Sequence, residues 1–266
     1  MKKFCFLKPK SIKPQLPLLI YLPGMDGTGE LFQRQAECLD NSFDLRCLAI
    51  PADDLSNWEQ LVNEVIQLIK QELSNSHCRS VYLCGESFGG CLALKVTLAA
   101  PRLIQKMILV NPASSLNQRP WLGWGVNVIP WLPTFFHKSS AVGLLPFLAE
   151  LSRIVKSDRR ALLEAMRSLP QEVVSWRLSL LSNFQIADKD LSYLTQPTLV
   201  IAGGADRLLP SLTEAYRLAE SLPQATIKIL PQSGHACLLE TETDLYSIMK
   251  EFDFLEESVQ GVGSNH

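Results

Sequence analysis

The sequence predicts an α/β protein: a mostly parallel sheet of about six core strands, flanked by helices and interrupted by a helical insertion. Three observations predict it. Short, almost continuously apolar runs alternate with longer runs of helical spacing, the pattern of parallel strands buried on both faces. One apolar run, Val81-Tyr82-Leu83-Cys84, leads straight into Gly85-Glu86-Ser87-Phe88-Gly89-Gly90 and then into the helix-like Cys91-Leu92-Ala93-Leu94-Lys95-Val96. The alternation then stops between residues 113 and 190, where tryptophan and proline crowd together.

Taken in order, Leu18-Leu19-Ile20-Tyr21-Leu22 reads as a buried strand stopped by the Pro23-Gly24 turn. About seventeen residues precede it, too few for a further hairpin. Leu31 to Leu39 reads as a helix, and Phe43 to Ile50 as a second strand ended by Pro51. Between Trp58 and Leu73, apolar residues at Leu61, Val62, Val65, Leu68 and Ile69 have helical spacing, with Asn57 placed to cap the first turn. The helix after Ser87 should end near Pro101, and Met107-Ile108-Leu109-Val110 is the next strand, closed by Asn111-Pro112.

Strands resume at Thr198–Ala202 and Thr226–Leu230, with a helix over Leu212–Leu222 between them and a last helix over Thr243–Phe254. The expected organisation is a core over 1–112 and 191–256, a helical lid over 113–190, and a flexible tail over 257–266. Within the lid, helices are expected at Ser140–Lys156, Asp158–Ser168 and Gln171–Asn183. An insertion there sits over the carboxyl ends of the strands, where open α/β sheets bind ligands. Trp121, Trp124 and Trp131 are its candidate substrate-binding residues.

Bulk properties narrow the classes. The 266 residues are 47% hydrophobic and 20% charged with a net charge of −2, so no basic field exists to attract nucleic acid. Seven scattered cysteines without a C-x-x-C pair read as reduced thiols in a cytosol-like compartment, neither a disulfide framework nor a zinc site. The start, Met1-Lys2-Lys3-Phe4, lacks an adequate apolar core for a signal peptide, and no apolar run is long enough to span a membrane. Any membrane contact is therefore expected to be peripheral.

The strand, G-x-S-x-G, helix order is that of a nucleophile elbow, with Ser87 lifted above the sheet. A serine hydroxyl needs a base to take its proton, and the base needs an orienting acid. Of four histidines, His77 lies at the wrong end of its strand, His137 falls in the insertion and His266 ends the chain. His235 follows the Thr226 strand and emerges beside Ser87. Asp206, in Gly203-Gly204-Ala205-Asp206 after the Thr198 strand, is the expected acid; the rival position holds Asn111, an amide that cannot support an imidazolium in the same way. Asp188, Asp190, Asp53 and Asp54 read as solvated loop residues. The oxyanion hole should use the N–H groups of Phe88 and of Met25. Gly24-Met25-Asp26-Gly27-Thr28-Gly29 lacks the glycine spacing of a dinucleotide fingerprint, and no metal or organic cofactor is implied.

These residues resemble the α/β-hydrolases. The chain is similar in particular to the hydrolase domain of the plant and cyanobacterial phytyl ester synthase (esterase/lipase/thioesterase) proteins. The likeness is carried by Leu22-Pro23-Gly24-Met25-Asp26-Gly27, by Gly85 through Leu94, by Asn111-Pro112-Ala113, by Ala202 through Asp206, and by Gly234-His235 with Leu238-Leu239-Glu240. The resemblance implies fatty acyl transfer among membrane lipids, acyl carriers and isoprenoid or glycerol alcohols, at a photosynthetic membrane. It also marks a departure: those plant proteins carry an acyltransferase domain with an H-x4-D motif, and no histidine here has an aspartate five residues on. The expectation is a serine hydrolase acting on hydrophobic carboxylic esters. The alternatives are an acyltransferase using a lipid or isoprenoid alcohol, and a non-catalytic lipid-binding protein of the same fold.

Overall fold

In a computed structural model, residues 3–77, 80–118, 143 and 145–255 are described. The core elements in chain order are β1 (Cys5–Leu7), β2 (Leu18–Leu22), α1 (Gln33–Leu39), β3 (Asp44–Ala49), α2 (Trp58–Asn75), β4 (Val81–Glu86), α3 (Phe88–Ala99) and β5 (Lys106–Val110). The inserted segment contributes α4 (Lys156–Ser168), α5 (Gln171–Ser182) and α6 (Asp188–Leu191). The chain closes with β6 (Thr198–Gly203), α7 (Ser211–Ser221), β7 (Ala225–Leu230) and α8 (Leu245–Glu251).

The seven strands form one sheet in the order β1-β3-β2-β4-β5-β6-β7. Every pairing is parallel except β1 with β3, where Phe6 lies opposite Leu48. The sheet thus has one more strand than expected. β1 needs no hairpin: it reaches the free edge of β3 directly and covers it.

Alternation along the strands divides the core between two faces. Leu18, Ile20, Leu22, Leu83, Leu109 and Val200 pack with α2, α3 and α7. Leu19, Tyr21, Tyr82, Cys84, Ile108 and Ile201 pack with α1 and α8. α2 begins as expected, with a reciprocal capping box between Asn57 and Gln60. Four thiols, those of Cys47, Cys84, Cys91 and Cys237, are buried in these layers, and burial pushes their pKa values up, that of Cys47 to about 12.

The inserted segment departs from expectation in one place. A continuous helix over Ser140–Lys156 does not form: residues 145–148 are helical, but Leu151–Arg153 is a separate 3-10 turn. The reason is competition for carbonyls. Leu148 C=O accepts the Ala236 N–H at 2.7 Å and Arg153 C=O accepts the Thr241 N–H at 2.9 Å, so the segment spends its acceptors on the loop after β7. Asp188 is solvated as expected, its side chain 69% exposed, and it also pairs with Arg217 at 2.7 Å. Trp121, Trp124, Trp131, His137 and the tail 257–266 lie outside the described residues. Among the described residues, no helix is long and apolar enough to cross a membrane.

Candidate active site

Ser87 closes β4 and opens α3 with φ 54 and ψ −111. A side-chain-bearing residue pays roughly 1–3 kcal/mol for such a conformation and keeps it only where its surroundings dictate it. Here the Ser87 N–H donates to Val110 C=O at 3.0 Å, and the Ser87 C=O accepts from Ala113 N–H at 3.1 Å. Gly89 makes the turn possible: a Cβ there would run into the carbonyl oxygens of Leu22 and Pro23, so only glycine lets α3 approach the end of β2 this closely.

Two loops bring partners to the serine. β6 ends in the turn carrying Asp206, and β7 leads into the loop carrying His235, which is 4% exposed. His235 Nε2 lies 2.8 Å from Ser87 Oγ, and His235 Nδ1 lies 2.8 Å from Asp206 Oδ2. Asp206 is itself fixed: Oδ1 accepts the N–H groups of Leu208 and Leu209 at 2.8 and 3.0 Å, and Oδ2 accepts the Ser211 hydroxyl at 2.5 Å. All three side chains named from the sequence meet at the carboxyl edge of the sheet. With the carboxylate facing Nδ1, that nitrogen carries the proton and Nε2 is left to accept one from Ser87.

The electrostatics favour that arrangement. Burial opposes protonation of His235, but the Asp206 charge and hydrogen bond, with the Glu86 charge behind them, outweigh it and raise the imidazole above its usual 6.5. Burial works against the Asp206 carboxylate, yet His235, Ser211 and the Leu209 N–H hold it below its usual 3.8. Glu86, in the elbow itself, is pushed up to about 7, chiefly by burial; its hydrogen bond from the Tyr21 hydroxyl and its attraction to His235 act in the opposite direction.

The turn after β2 faces the elbow, since a Cβ on Gly24 would stand 3.9 Å from the Ser87 Cβ. Among the described residues no hydrogen bond takes up the N–H of Met25 or of Phe88. The Phe88 ring is turned away and buried, stacked on Trp58 at 4.8 Å, so only its backbone is offered towards Ser87. A groove of about 560 Å³ lies along α5, lined by Leu55, Gln171, Glu172, Ser175, Trp176 and Ser179. Its described lining includes none of the three side chains above, so it is not the space in front of the serine. Among the described residues no three His, Cys, Asp or Glu side chains cluster as metal ligands.

Asn111 has a role that sequence reasoning missed. It is fully buried with φ 42. Its Nδ2 donates to His235 C=O at 2.7 Å and to Gly234 C=O at 3.2 Å, while its Oδ1 accepts the Gly203 N–H at 2.7 Å. The amide rejected as an acid thus staples the loop bearing the acid's strand to the loop bearing the base. Glu240, also fully buried, accepts the Gly234 N–H at 2.8 Å and pairs with Arg153 of the inserted segment at 2.7 Å. Both residues stand in segments that carry the family resemblance, but nothing in the sequence announced the backbone groups they bond.

This sheet, with its strained serine at the β4–α3 turn, is that of an α/β hydrolase. An α/β hydrolase from a Medee basin deep-sea metagenome library, MGS-M2, superposes with a TM-score of 0.74 at 15% identity, over 97% of this chain and 96% of that one. The chain belongs to the family described as serine aminopeptidase, S33, whose model matches residues 52–242. It is 31% identical to phytyl ester synthase 1, chloroplastic, of Arabidopsis thaliana over 88% of this chain, but spans only 36% of that protein's length. It is 26% identical to a pimeloyl-acyl-carrier-protein methyl ester esterase of Vibrio parahaemolyticus, over 90% of this chain and 94% of that one.

Proposed function

We propose that this hydrolase cleaves carboxylic esters of hydrophobic, lipid-like acids through an acyl-enzyme on Ser87. The observation that carries the reading is the unbroken chain Ser87–His235–Asp206, with both links at 2.8 Å. Ser87 Oγ attacks the ester carbonyl while His235 Nε2 takes its proton. The oxyanion so formed is held by the Met25 and Phe88 N–H groups, and Asp206 steadies the imidazolium. The intermediate collapses, the C–O bond to the alcohol breaks, and His235 returns the proton to the departing oxygen. Water, deprotonated by the same imidazole, then releases the acid and restores Ser87.

The ester preference is supported by the named activity of the Vibrio relative, and the lipid-like substrate by that of the Arabidopsis one. The latter also favours a second reading, in which an isoprenoid or lipid alcohol replaces water in the second half. The inserted segment over 113–190 would act as the lid that excludes water, with Trp121, Trp124 and Trp131 meeting the substrate. The setting we assign is a cytosol-like compartment with contact at the surface of a photosynthetic membrane.

The test is wild type beside Ser87→Ala, assayed with nitrophenyl esters of increasing chain length and with a fluorophosphonate probe. Wild type should hydrolyse the esters, prefer the longer ones and take up one probe per chain; Ser87→Ala should do neither. Equal hydrolysis by both proteins defeats the assignment. Adding a long-chain alcohol and measuring new ester against free acid separates transfer from hydrolysis. A folded wild type that neither reacts nor labels supports the non-catalytic lipid binder instead.

A further inference from the structure

A buried guanidinium joins the inserted segment to the turn that faces Ser87. Arg177 lies on α5 and is 2% exposed. Its Nη1 donates to the Met25 C=O at 2.8 Å, and its Nη2 to the Pro51 C=O at 3.3 Å. The two acceptors belong to the loops that leave adjacent strands β2 and β3. The turn is shaped around the cation. Gly27 has φ +69, and a Cβ on it would stand 2.5 Å from Arg177 Nη1. The turn is closed by Gly27 N–H to Gly24 C=O at 3.0 Å and tied to β3 by Ile50 N–H to Gly27 C=O at 2.8 Å.

The arginine is delivered from a braced helix. Trp176 Nε1 donates to Ser56 C=O at 2.9 Å, and Trp58 Nε1 donates to Leu180 C=O at 3.1 Å. Burial pulls the guanidinium pKa below its ordinary value, and the carboxylates of Asp54 and Asp26 offset only part of that. A buried cation that spends its donors on backbone carbonyls is costly to keep merely as filler. What it gains is geometric. A planar fork that bonds two carbonyls at once fixes both peptide planes, that of Met25–Asp26 among them. The Met25 N–H lies in the plane before it, whose Gly24 C=O is held by the Gly27 N–H, so with both planes flanking Met25 pinned its N–H has little freedom.

We propose that Arg177 is a positioning residue for the oxyanion hole: by gripping the Met25 carbonyl it holds the Met25 N–H towards Ser87. This rests on the hole assigned under Proposed function. It makes the inserted segment part of the rate-setting apparatus as well as a cover. A preorganised donor is worth most when it is already aimed before charge develops, so a loosened Met25 should cost turnover more than binding.

The experiment compares Arg177→Met, Arg177→Lys and Gly27→Ala with wild type and Ser87→Ala, using the same nitrophenyl ester. Active molecules are counted by fluorophosphonate titration and folding is checked by thermal melting. Arg177→Met should lose roughly 100-fold in kcat per titrated site with KM within about twofold, the scale of a lost oxyanion donor. Arg177→Lys should recover part of that loss through one bond to the Met25 carbonyl. Gly27→Ala, which keeps the arginine but displaces it, should lose kcat in the same sense. The pH dependence should stay as in wild type, because His235 and Asp206 are untouched. Wild-type kcat per titrated site in Arg177→Met, or in Gly27→Ala should the methionine variant fail to fold, overturns the proposal. So does a loss that disappears once inactive molecules are discounted. A wild type indifferent to Ser87→Ala overturns instead the catalytic reading beneath it.

Discussion

Asp206→Asn isolates the charge of the orienting acid from its structural duties. Asp206 Oδ1 accepts two backbone N–H groups, and an asparagine oxygen can accept both in the same place. The turn between β6 and α7 should therefore survive. The other end changes its chemistry. Where Oδ2 now faces His235 Nδ1 at 2.8 Å, the variant presents an amide that donates. The imidazole then adopts the tautomer with its proton on Nε2, the nitrogen 2.8 Å from Ser87 Oγ, and can no longer accept the serine proton. In a serine protease the same change lowers kcat about 10⁴-fold, roughly 5 kcal/mol of transition-state stabilisation. Nitrophenyl ester hydrolysis and the rate of fluorophosphonate labelling should both fall on that scale, while the far-ultraviolet circular dichroism stays unchanged. Because folding lowers the Asp206 pKa, its stabilising charge is fully present above the usual 3.8 and is lost as pH falls through the lower folded value. The stability gap between variant and wild type should therefore be seen at neutral pH and close in acid. A folded Asp206→Asn within about tenfold of wild-type kcat at neutral pH would refute the assignment.

Glu86→Gln should keep a hydrogen-bond acceptor for Tyr21 while removing a buried titration. Folding raises this carboxyl from its ordinary 4.5 to about 7, so its contribution is most favourable below 4.5 and fades as pH climbs towards about 7. Urea unfolding across that window should show wild type losing about 3 kcal/mol relative to the variant, and parallel curves would count against the effect. The same substitution removes a charge that raises His235, so the pH at which ester hydrolysis switches on should move lower. Asn111→Ala deletes three buried hydrogen bonds to backbone and a longer one to Cys237 Sγ, and places alanine at φ 42. Unfolding should become easier by about 3 kcal/mol, with a drop in kcat as the His235 loop loses its staple; wild-type melting and turnover would show the amide to be dispensable.

How much of this was legible in the sequence follows from where the information sits. Ser87 was readable because its constraint is local: the elbow needs glycines at fixed offsets and an apolar strand before it. Asp206 and His235 were readable because each comes just after a strand, and parallel strands deliver their loops to one rim. β1 was not, since Cys5, Phe6 and Leu7 carry no periodicity of their own and become a strand only against the edge of β3. Arg177, Asn111 and Glu240 were equally hidden. Their partners are backbone atoms brought near by the fold, and no spacing along the chain announces a carbonyl that happens to face them. The helix expected over Ser140–Lys156 failed for the same reason, because the loop after β7 claims carbonyls that local propensity assigns to the helix.

The layered burial of cysteine has a practical corollary. Cys84 and Cys91 stand on either side of the elbow, and with Cys47 and Cys237 they are kept protonated by their apolar surroundings. Electrophiles that hunt thiolates will pass these four by, whereas Cys5 and Cys38 stand in solvent, with partial burial and Asp244 raising the Cys38 thiol. A maleimide dye on those outer sulfurs and a phosphonate reporter on the serine can therefore ride the same molecule, each blind to the other's target.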